Sequence, residues 1–393
     1  MERFDWIMFD TKAPNAYVMA LVAPDKAQQV RRFHSGIEGY EPTPLVSLNA
    51  QAERLGLGAL YVKNESKRFG LNAFKSLGGS YAVAKYLCGK LGIPVDENAY
   101  TVLRSAEAKE KLGDITFITA TDGNHGRGVA WAARIFGQKA VVFMPKGSAA
   151  ERLENIRAQG AHAEITNVNY DDTVRFACKT AEENGWVLVQ DTAWPGYEEI
   201  PESIIQGYTT MAVEIEEQLN GIKPTHLFLQ AGVGSFPGSF AACAAGIWGD
   251  ERPVTVIMEP TQADCHYRTA KADDGEFHIV TGSMNSMMAG LCCGEPCPIS
   301  WKMLESCADA FVSCGDYYSA RGMRLLGKPL EGDETVVSGE SGAVGAGVIE
   351  AIMIREELKE FKEKLGLNSQ SRVLLISTEG DTDKENYRRI LAD

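Results

Sequence analysis

A lysine set among glycines and aromatic residues is the first position with chemical potential. Lys75 follows a strand-like segment, residues 60–63, and precedes Gly78, Gly79 and a helical pattern over 81–87, so it is predicted to lie in a loop or at the first turn of a helix. The helix dipole disfavours a cation there, and a lysine with a lowered pKa can form an imine with a carbonyl compound. The alternative interpretation is a surface lysine in a glycine-rich loop.

A glycine-rich turn, residues 232–238, follows a strand-like segment and opens a helical pattern. Backbone N–H groups and the helix dipole at such a turn predict an anion site, most naturally for phosphate. A dinucleotide site is an alternative, since Glu259 ends the next strand where a ribose-binding carboxylate lies in that motif. However, Pro237 stands where that motif needs its last glycine. A plain tight turn is the third interpretation.

Residues 121–128 form another polar turn between a strand and a helix. Its amides could hold a carboxylate, and the Asn124 side chain could reach a hydroxyl group. Taken alone, the turn is more typical of an ordinary connection in which Asp122 or Asn124 caps the helix.

Two hydroxyl residues, Ser377 and Thr378, end a buried strand. Ligands bind at the carboxyl ends of strands in open parallel sheets, and a hydroxyl there could meet a ring nitrogen without adding charge. The alternative is a hydroxyl bonded to the backbone.

Strand and helix patterns alternate from residue 116 to residue 191 and again from 225 to 377. This order predicts an α/β protein with a parallel sheet and helices on both faces. We expect residues 1–84 and 196–393 to form a large domain and 85–195 a small one.

The composition is that of a globular enzyme without a nucleic-acid or membrane partner. The 393 residues carry 53 acidic and 39 basic side chains, a net charge of −14, which argues against nucleic acid and anionic membranes. No signal peptide or membrane-spanning run is evident, so a cytoplasmic location is expected. The nine cysteines show no spacing typical of disulfides. Cys292, Cys293 and Cys297 lie close together and could bind a metal, but no CxxC pair or paired histidine supports such a site, so none is predicted.

The lysine, the Asn-containing turn, the glycine-rich turn and the strand-end hydroxyls occur in an order that resembles the fold-type II enzymes that use pyridoxal 5′-phosphate. These include threonine dehydratase, cysteine synthase and tryptophan synthase β. The closer resemblance is to diaminopropionate ammonia-lyase and extends from about Phe33 to Tyr387. It is carried by the segments 66–80, 121–131, 190–194, 230–234, 289–296, 338–347 and 376–383.

This resemblance implies two open, mostly parallel sheets with helices on both faces, a cofactor between a large and a small domain, and a homodimer. It implies that Lys75 carries pyridoxal phosphate as a Schiff base and that Asn124 binds the phenolic oxygen. Ser377, or alternatively Thr378, is then the partner of the pyridine nitrogen. The residues implied to hold the phosphate are Gly232, Val233, Gly234, Ser235 and Gly238. The family often has four glycines here, whereas this chain has Val233, Phe236 and Pro237 within the turn.

Two carboxylates are the further catalytic candidates. In the related dehydratases the residue at position 122 is generally small and uncharged, and the turn is expected to bind the substrate carboxylate. An aspartate there would repel that group by roughly 4 kcal/mol at about 4 Å, so Asp122 is expected to meet a cation or a proton. Asp191 could be a second such carboxylate, or a turn cap.

The implied reaction is α,β-elimination of 2,3-diaminopropionate, in both D and L forms, to pyruvate and two ammonia. A serine or threonine dehydratase, a β-replacement synthase and a non-catalytic phosphate- or nucleotide-binding protein are the alternatives.

Overall fold

The computed structural model describes residues 3–121 and 123–392, except the side chain of Asp171. Its strands are β1 (Phe4–Met8), β2 (Leu45–Ser47), β3 (Ala59–Asn64), β4 (Thr116–Ala120), β5 (Lys139–Met144), β6 (His162–Ile165), β7 (Val187–Leu188), β8 (His226–Gln230), β9 (Val254–Pro260), β10 (Ala310–Cys314) and β11 (Arg372–Ser377).

Helices separate most of these strands. They are α1 (Ala16–Leu21), α2 (Pro24–Ser35), α3 (Asn49–Leu55), α4 (Ser76–Leu91), α5 (Ala99–Leu103), α6 (Ala106–Leu112), α7 (Asn124–Ile135), α8 (Ala150–Arg157), α9 (Tyr170–Asn184), α10 (Glu199–Leu219), α11 (Ser235–Trp248), α12 (Cys265–Ala272), α13 (Pro298–Cys307), α14 (Asp316–Gly327), α15 (Glu340–Ile354), α16 (Lys359–Leu365) and α17 (Lys384–Ala392).

The larger sheet has seven strands in the order β1-β10-β9-β8-β11-β3-β2. The five inner strands are parallel, and β1 and β2 pair antiparallel at the two edges. β8 and β11 are parallel neighbours, so their carboxyl ends lie side by side. This places the turn after Gln230 beside the hydroxyls after Ile376.

The smaller sheet has four strands in the order β6-β5-β4-β7, all parallel. The predicted α/β class with two mostly parallel sheets is confirmed. No helix in residues 3–121 and 123–392 is long and apolar enough to span a membrane.

The chain folds into two compact units. One comprises residues 1–23, 43–67 and 214–393 and contains the larger sheet; the other comprises 24–42 and 68–213 and contains the smaller sheet. The division predicted from the sequence, 1–84 with 196–393 against 85–195, stays a prediction.

The core of the first unit is built where α15 lies on the larger sheet. This helix is rich in glycine and alanine. At Gly345 there is little room for a side chain, because a Cβ there would lie 3.3 Å from Leu375 and 3.4 Å from Met258. Small residues therefore let the helix backbone approach β11 and β9 closely. Removing such apolar surface from water stabilises the fold by about 25 cal/mol per Å².

Strand β7 covers only Val187–Leu188, although the alternating strand and helix patterns extend to residue 191. The side chain of Gln190 explains the early end, because its Oε1 accepts hydrogen bonds from Ala120 N at 3.1 Å and Thr119 Oγ1 at 3.1 Å. A side-chain amide thus replaces the strand backbone as the partner of β4.

Candidate active site

Lys75 is the residue immediately before α4, at the positive end of that helix. Its Nζ lies 2.6 Å from Oδ2 of Asp191, and the two side chains are 20% and 7% exposed. The ammonium also lies 5.6 Å from the ring centre of Phe74 and 6.0 Å from that of Tyr208. The amine is therefore enclosed by one carboxylate and two aromatic rings, and it keeps limited access to solvent.

Asp191 is held in its ionised form. Burial alone would raise the pKa of this carboxyl, but the charges of Lys75 and His125 and the hydrogen bond from Lys75 outweigh burial and lower the pKa to about 2. Burial raises the pKa of the Tyr208 phenol, so this ring stays neutral beside the pair.

His125 is a neighbour of this pair that the sequence reasoning missed. Its Nε2 lies 2.8 Å from the carbonyl oxygen of Val189, and its Nδ1 lies 3.8 Å from Oδ2 of Asp191. Since the carbonyl can only accept, Nε2 carries the hydrogen. The adjacency of Asn124 and His125 after a strand was the one available signal, and it does not reveal a partner 66 positions further along the chain.

The start of α7 is capped from within the polar turn. Thr121 Oγ1 accepts hydrogen bonds from Gly123 N at 2.9 Å and Gly126 N at 3.1 Å. Asn124 is the first residue of the helix, with Gly123 before it at φ 153°, so the alternative of Asn124 as the helix cap is wrong. Asp122 lies outside the described residues.

The helices that begin at Asn124 and just after Lys75 approach each other closely. A Cβ on Gly128 would lie 2.9 Å from the carbonyl carbon and oxygen of Lys75, and a Cβ on Gly79 would lie 3.0 Å from Gly128. The backbone at Lys75 is therefore supported directly by α7, and a larger residue at 128 would displace it.

The glycine-rich turn links β8 to α11. Gly234 has φ 96°, a left-handed conformation that favours glycine. A Cβ on Gly232 would lie 3.0 Å from the carbonyl oxygen of Gly290, and one on Gly238 would lie 3.0 Å from that of Ser300. Glycine is needed at all three positions, and the turn presents backbone at the N-terminus of a helix 14 residues long.

The dinucleotide alternative for this turn is not supported, because the carboxylate it requires is already hydrogen-bonded within the protein. Glu259 is buried and accepts hydrogen bonds from His266 N at 3.0 Å, Tyr267 N at 2.7 Å and His266 Nδ1 at 2.8 Å. Both oxygens are thereby occupied within the protein, so Glu259 is not presented to a ribose.

The strand-end hydroxyls lie at the same sheet edge as the glycine-rich turn. Gln230 joins the two strands, because its Nε2 donates to Ile376 O at 2.9 Å and to Thr378 Oγ1 at 2.9 Å. Ser377 Oγ donates to Ser338 Oγ at 2.8 Å. Both candidate partners of a ring nitrogen are thus buried and fixed by neighbours.

One group of metal-ligating side chains occurs in the part of the chain that the structure describes. Ligand atoms of Glu259, Cys265 and His266 lie within 4.8 Å of one another. They are hydrogen-bonded to each other, and burial raises the pKa of the Cys265 thiol well above its ordinary value, which disfavours the thiolate that a metal needs.

Comparison with known proteins decides the family. A family model described as "Pyridoxal-phosphate dependent enzyme" matches residues 37–379. The diaminopropionate ammonia-lyase of Salmonella typhimurium is 50% identical over 377 residues, which cover 95% of this chain and 93% of the relative. The chain belongs to the diaminopropionate ammonia-lyase family.

Solved structures of the family share the fold described above. Diaminopropionate ammonia-lyase from Escherichia coli in complex with D-serine matches with a TM-score of 0.92 and 44% identity, over 99% of this chain and 97% of that one. The same enzyme in complex with an aminoacrylate–PLP azomethine reaction intermediate matches with a TM-score of 0.90 and 43% identity, over 100% and 97%.

The residues of this chain fit pyridoxal phosphate, the cofactor of this family. Lys75 offers a primary amine at a helix N-terminus. The turn at 232–238 offers backbone amides at a second helix N-terminus, with a left-handed glycine where a side chain would fill the space. Buried hydroxyls follow β11. The roles assigned to these residues individually stay predictions.

Proposed function

We propose that the protein converts 2,3-diaminopropionate and one water to pyruvate and two ammonia. The observation that supports this proposal most directly is the pairing of Lys75 with Asp191 in a chain half identical to a diaminopropionate ammonia-lyase. When bound, pyridoxal phosphate supplies an electron sink that stabilises negative charge at the Cα atom of an attached amino acid.

Lys75 is proposed to hold the cofactor covalently and, once displaced by the substrate amine, to take the Cα proton on one face. Its position before α4 and beside the ring of Phe74 supports an approach from a single face. A general base must lie within hydrogen-bond reach of the proton that it removes.

Asp191 is proposed to pair with the β-ammonium group of the substrate. Its carboxylate is ionised and already holds one ammonium, that of Lys75, at 2.6 Å. A substrate ammonium can take this place when Lys75 is released, whereas the hydroxyl of serine brings no charge. Losing such a charged pairing in a desolvated site costs on the order of 2–5 kcal/mol.

Asp122 is proposed as the base for the opposite face, so that D- and L-2,3-diaminopropionate are both substrates. The support is its place in the sequence between Thr121 and Gly123, directly after β4 and before α7. Asn124, which opens α7, is proposed to bind the phenolic oxygen of the cofactor.

Elimination from D-serine is the second candidate activity. It is favoured by the structural relative from Escherichia coli, which was solved in complex with D-serine. The two activities differ in the leaving group and therefore in their need for Asp191. A homodimer and a cytoplasmic location also stay predictions.

The test is kcat/KM for D- and L-2,3-diaminopropionate and for D- and L-serine, with wild type and Asp122→Asn. We expect kcat/KM to be higher for diaminopropionate than for serine with both enantiomers. Asp122→Asn should selectively lower kcat/KM for D-2,3-diaminopropionate. Faster turnover of serine would contradict the substrate assignment. Equal losses on the two diaminopropionate enantiomers would contradict the role of Asp122.

A further inference from the structure

A buried histidine lies directly against the glycine-rich turn. A Cβ added to Gly234 would lie 2.5 Å from Nε2 of His266 and 3.1 Å from its Cε1. The imidazole edge therefore touches the residue of the turn whose left-handed backbone sets its shape. The side chain of His266 is 0% exposed.

Glu259 fixes how this imidazole is protonated. The carboxylate lies 2.8 Å from Nδ1 of His266 and can only accept, so Nδ1 carries a hydrogen. The same carboxylate accepts hydrogen bonds from the backbone N–H groups of His266 and Tyr267, which hold it at the start of α12. The neutral imidazole then presents a lone pair at Nε2, and an imidazolium presents an N–H there.

Within the described residues, Nε2 of His266 has no hydrogen-bond partner although it is buried. A buried polar atom without a partner is uncommon and costs free energy. Residues 232–238 contain no lysine, arginine or histidine, so the turn itself carries no positive side chain for a bound phosphate. The unpartnered atom thus lies beside a turn whose own residues, 232–238, carry no positive side chain.

The other described groups around the imidazole are uncharged, so Glu259 is the group that would balance a positive charge on His266. The thiol of Cys265 lies 3.5 Å from Nδ1, and burial and the nearby Glu259 and Cys293 raise its pKa, so it stays neutral. From α13, Trp301 contributes an uncharged ring 6.1 Å away. A proton on His266 would therefore be balanced by one adjacent carboxylate.

We propose that His266 is a phosphate-binding residue, and that it takes up one proton from solvent when a phosphate group occupies the turn. The proton is added at Nε2; no other bond forms or breaks. This inference rests on the proposed use of pyridoxal phosphate and adds to it a cation supplied from α12.

The test compares pyridoxal phosphate with pyridoxal, which lacks the phosphate, as ligands of the apoenzyme. Calorimetry in two buffers of different ionisation enthalpy gives the affinity and the protons taken up, without using turnover. For His266→Gln we expect about tenfold weaker binding of pyridoxal phosphate, the effect of losing one charged hydrogen bond. Its affinity for pyridoxal should be unchanged, and the extra proton uptake seen in wild type with pyridoxal phosphate should disappear.

His278→Gln is the matched control, because His278 is partly exposed and bonded to Asp274 outside this cluster; it should behave as wild type. Glu259→Gln is a second variant, expected to reduce proton uptake because it removes the balancing carboxylate. Unchanged proton uptake and affinity in His266→Gln would overturn the inference, as would equal losses for both ligands in both variants, which would indicate a packing role. Failure of wild type to bind pyridoxal phosphate would instead contradict the proposed function.

Discussion

The Nζ atom of Lys75 lies 2.6 Å from Oδ2 of Asp191, although the two residues are 116 positions apart in the chain. The fold brings them together because Lys75 immediately precedes α4 and the segment after β7 carries Asp191. A nucleophilic amine and an ionised carboxylate thus lie in direct contact and are largely shielded from solvent.

Lys75 is expected to be the lysine that binds the cofactor covalently. Borohydride reduction of the loaded enzyme, followed by peptide mass mapping, should add the cofactor mass to Lys75 in wild type and to no peptide of Lys75→Ala. Lys85→Ala is the control, since Lys85 is a half-buried lysine of the same helix that donates to Gln206. Retention of a reducible adduct in Lys75→Ala would show that another lysine is used.

Asp191 should stabilise the apoenzyme in a pH-dependent way. Its pKa is lowered to about 2 in the fold, although burial opposes this, because Lys75 and His125 favour the carboxylate. The unfolded chain therefore takes up this proton first as pH falls. The contribution, about 2 kcal/mol, is complete above about pH 4 and is lost as pH falls towards 2.

Urea unfolding of wild type and Asp191→Asn should accordingly differ more at pH 7 than at pH 3. Asp114→Asn removes an exposed carboxylate paired with Lys139 and should leave the free energy of unfolding almost unchanged, because solvent screens such pairs. A difference for Asp191→Asn that is constant over this pH range would contradict the charge pairing.

Gly128→Ala should damage the site through the backbone of Lys75. The added Cβ would lie 2.9 Å from the carbonyl of Lys75, and overpacking of this kind costs about 1–3 kcal/mol. We expect a lower free energy of unfolding and a lower yield of the Lys75 adduct. Gly89→Ala, in α4 with no heavy atom within 4 Å of its Cβ, should instead stabilise the helix by up to about 1 kcal/mol.

Ser377 is expected to contact the ring nitrogen of the cofactor. Ser377→Ala should shift the visible absorbance of the bound cofactor and lower kcat/KM by about tenfold, the effect of losing one hydrogen bond. Thr378→Val should disturb chiefly the hydrogen bond from Gln230 and leave the spectrum in place. The opposite pattern would assign the contact to Thr378.

Local patterns in the sequence were sufficient to locate several elements of the site. β4 begins at residue 116 and β11 ends at Ser377, as the sequence patterns predict, because buried apolar runs flanked by polar turns identify such strands. The need for glycine at Gly234 likewise reflects local backbone conformation, since its φ is 96°. These features depend mainly on neighbours in the chain.

Features created by distant residues were not predictable. His125 and His266 gain their importance from Asp191 and Gly234, and no spacing in the sequence signals either contact. β1 was missed because it pairs with a strand far along the sequence, Phe4 with Cys314. The shortness of β7 depends on the side chain of Gln190, which competes with the backbone for Ala120 N.

The most direct test of the proposed reaction is the simultaneous measurement of pyruvate and ammonia from L-2,3-diaminopropionate, with pyridoxal phosphate and no second substrate. We expect two ammonia for each pyruvate in wild type and neither product with Lys75→Ala. Absence of pyruvate from the wild-type enzyme loaded with its cofactor, or one ammonia for each pyruvate, would contradict the proposed reaction.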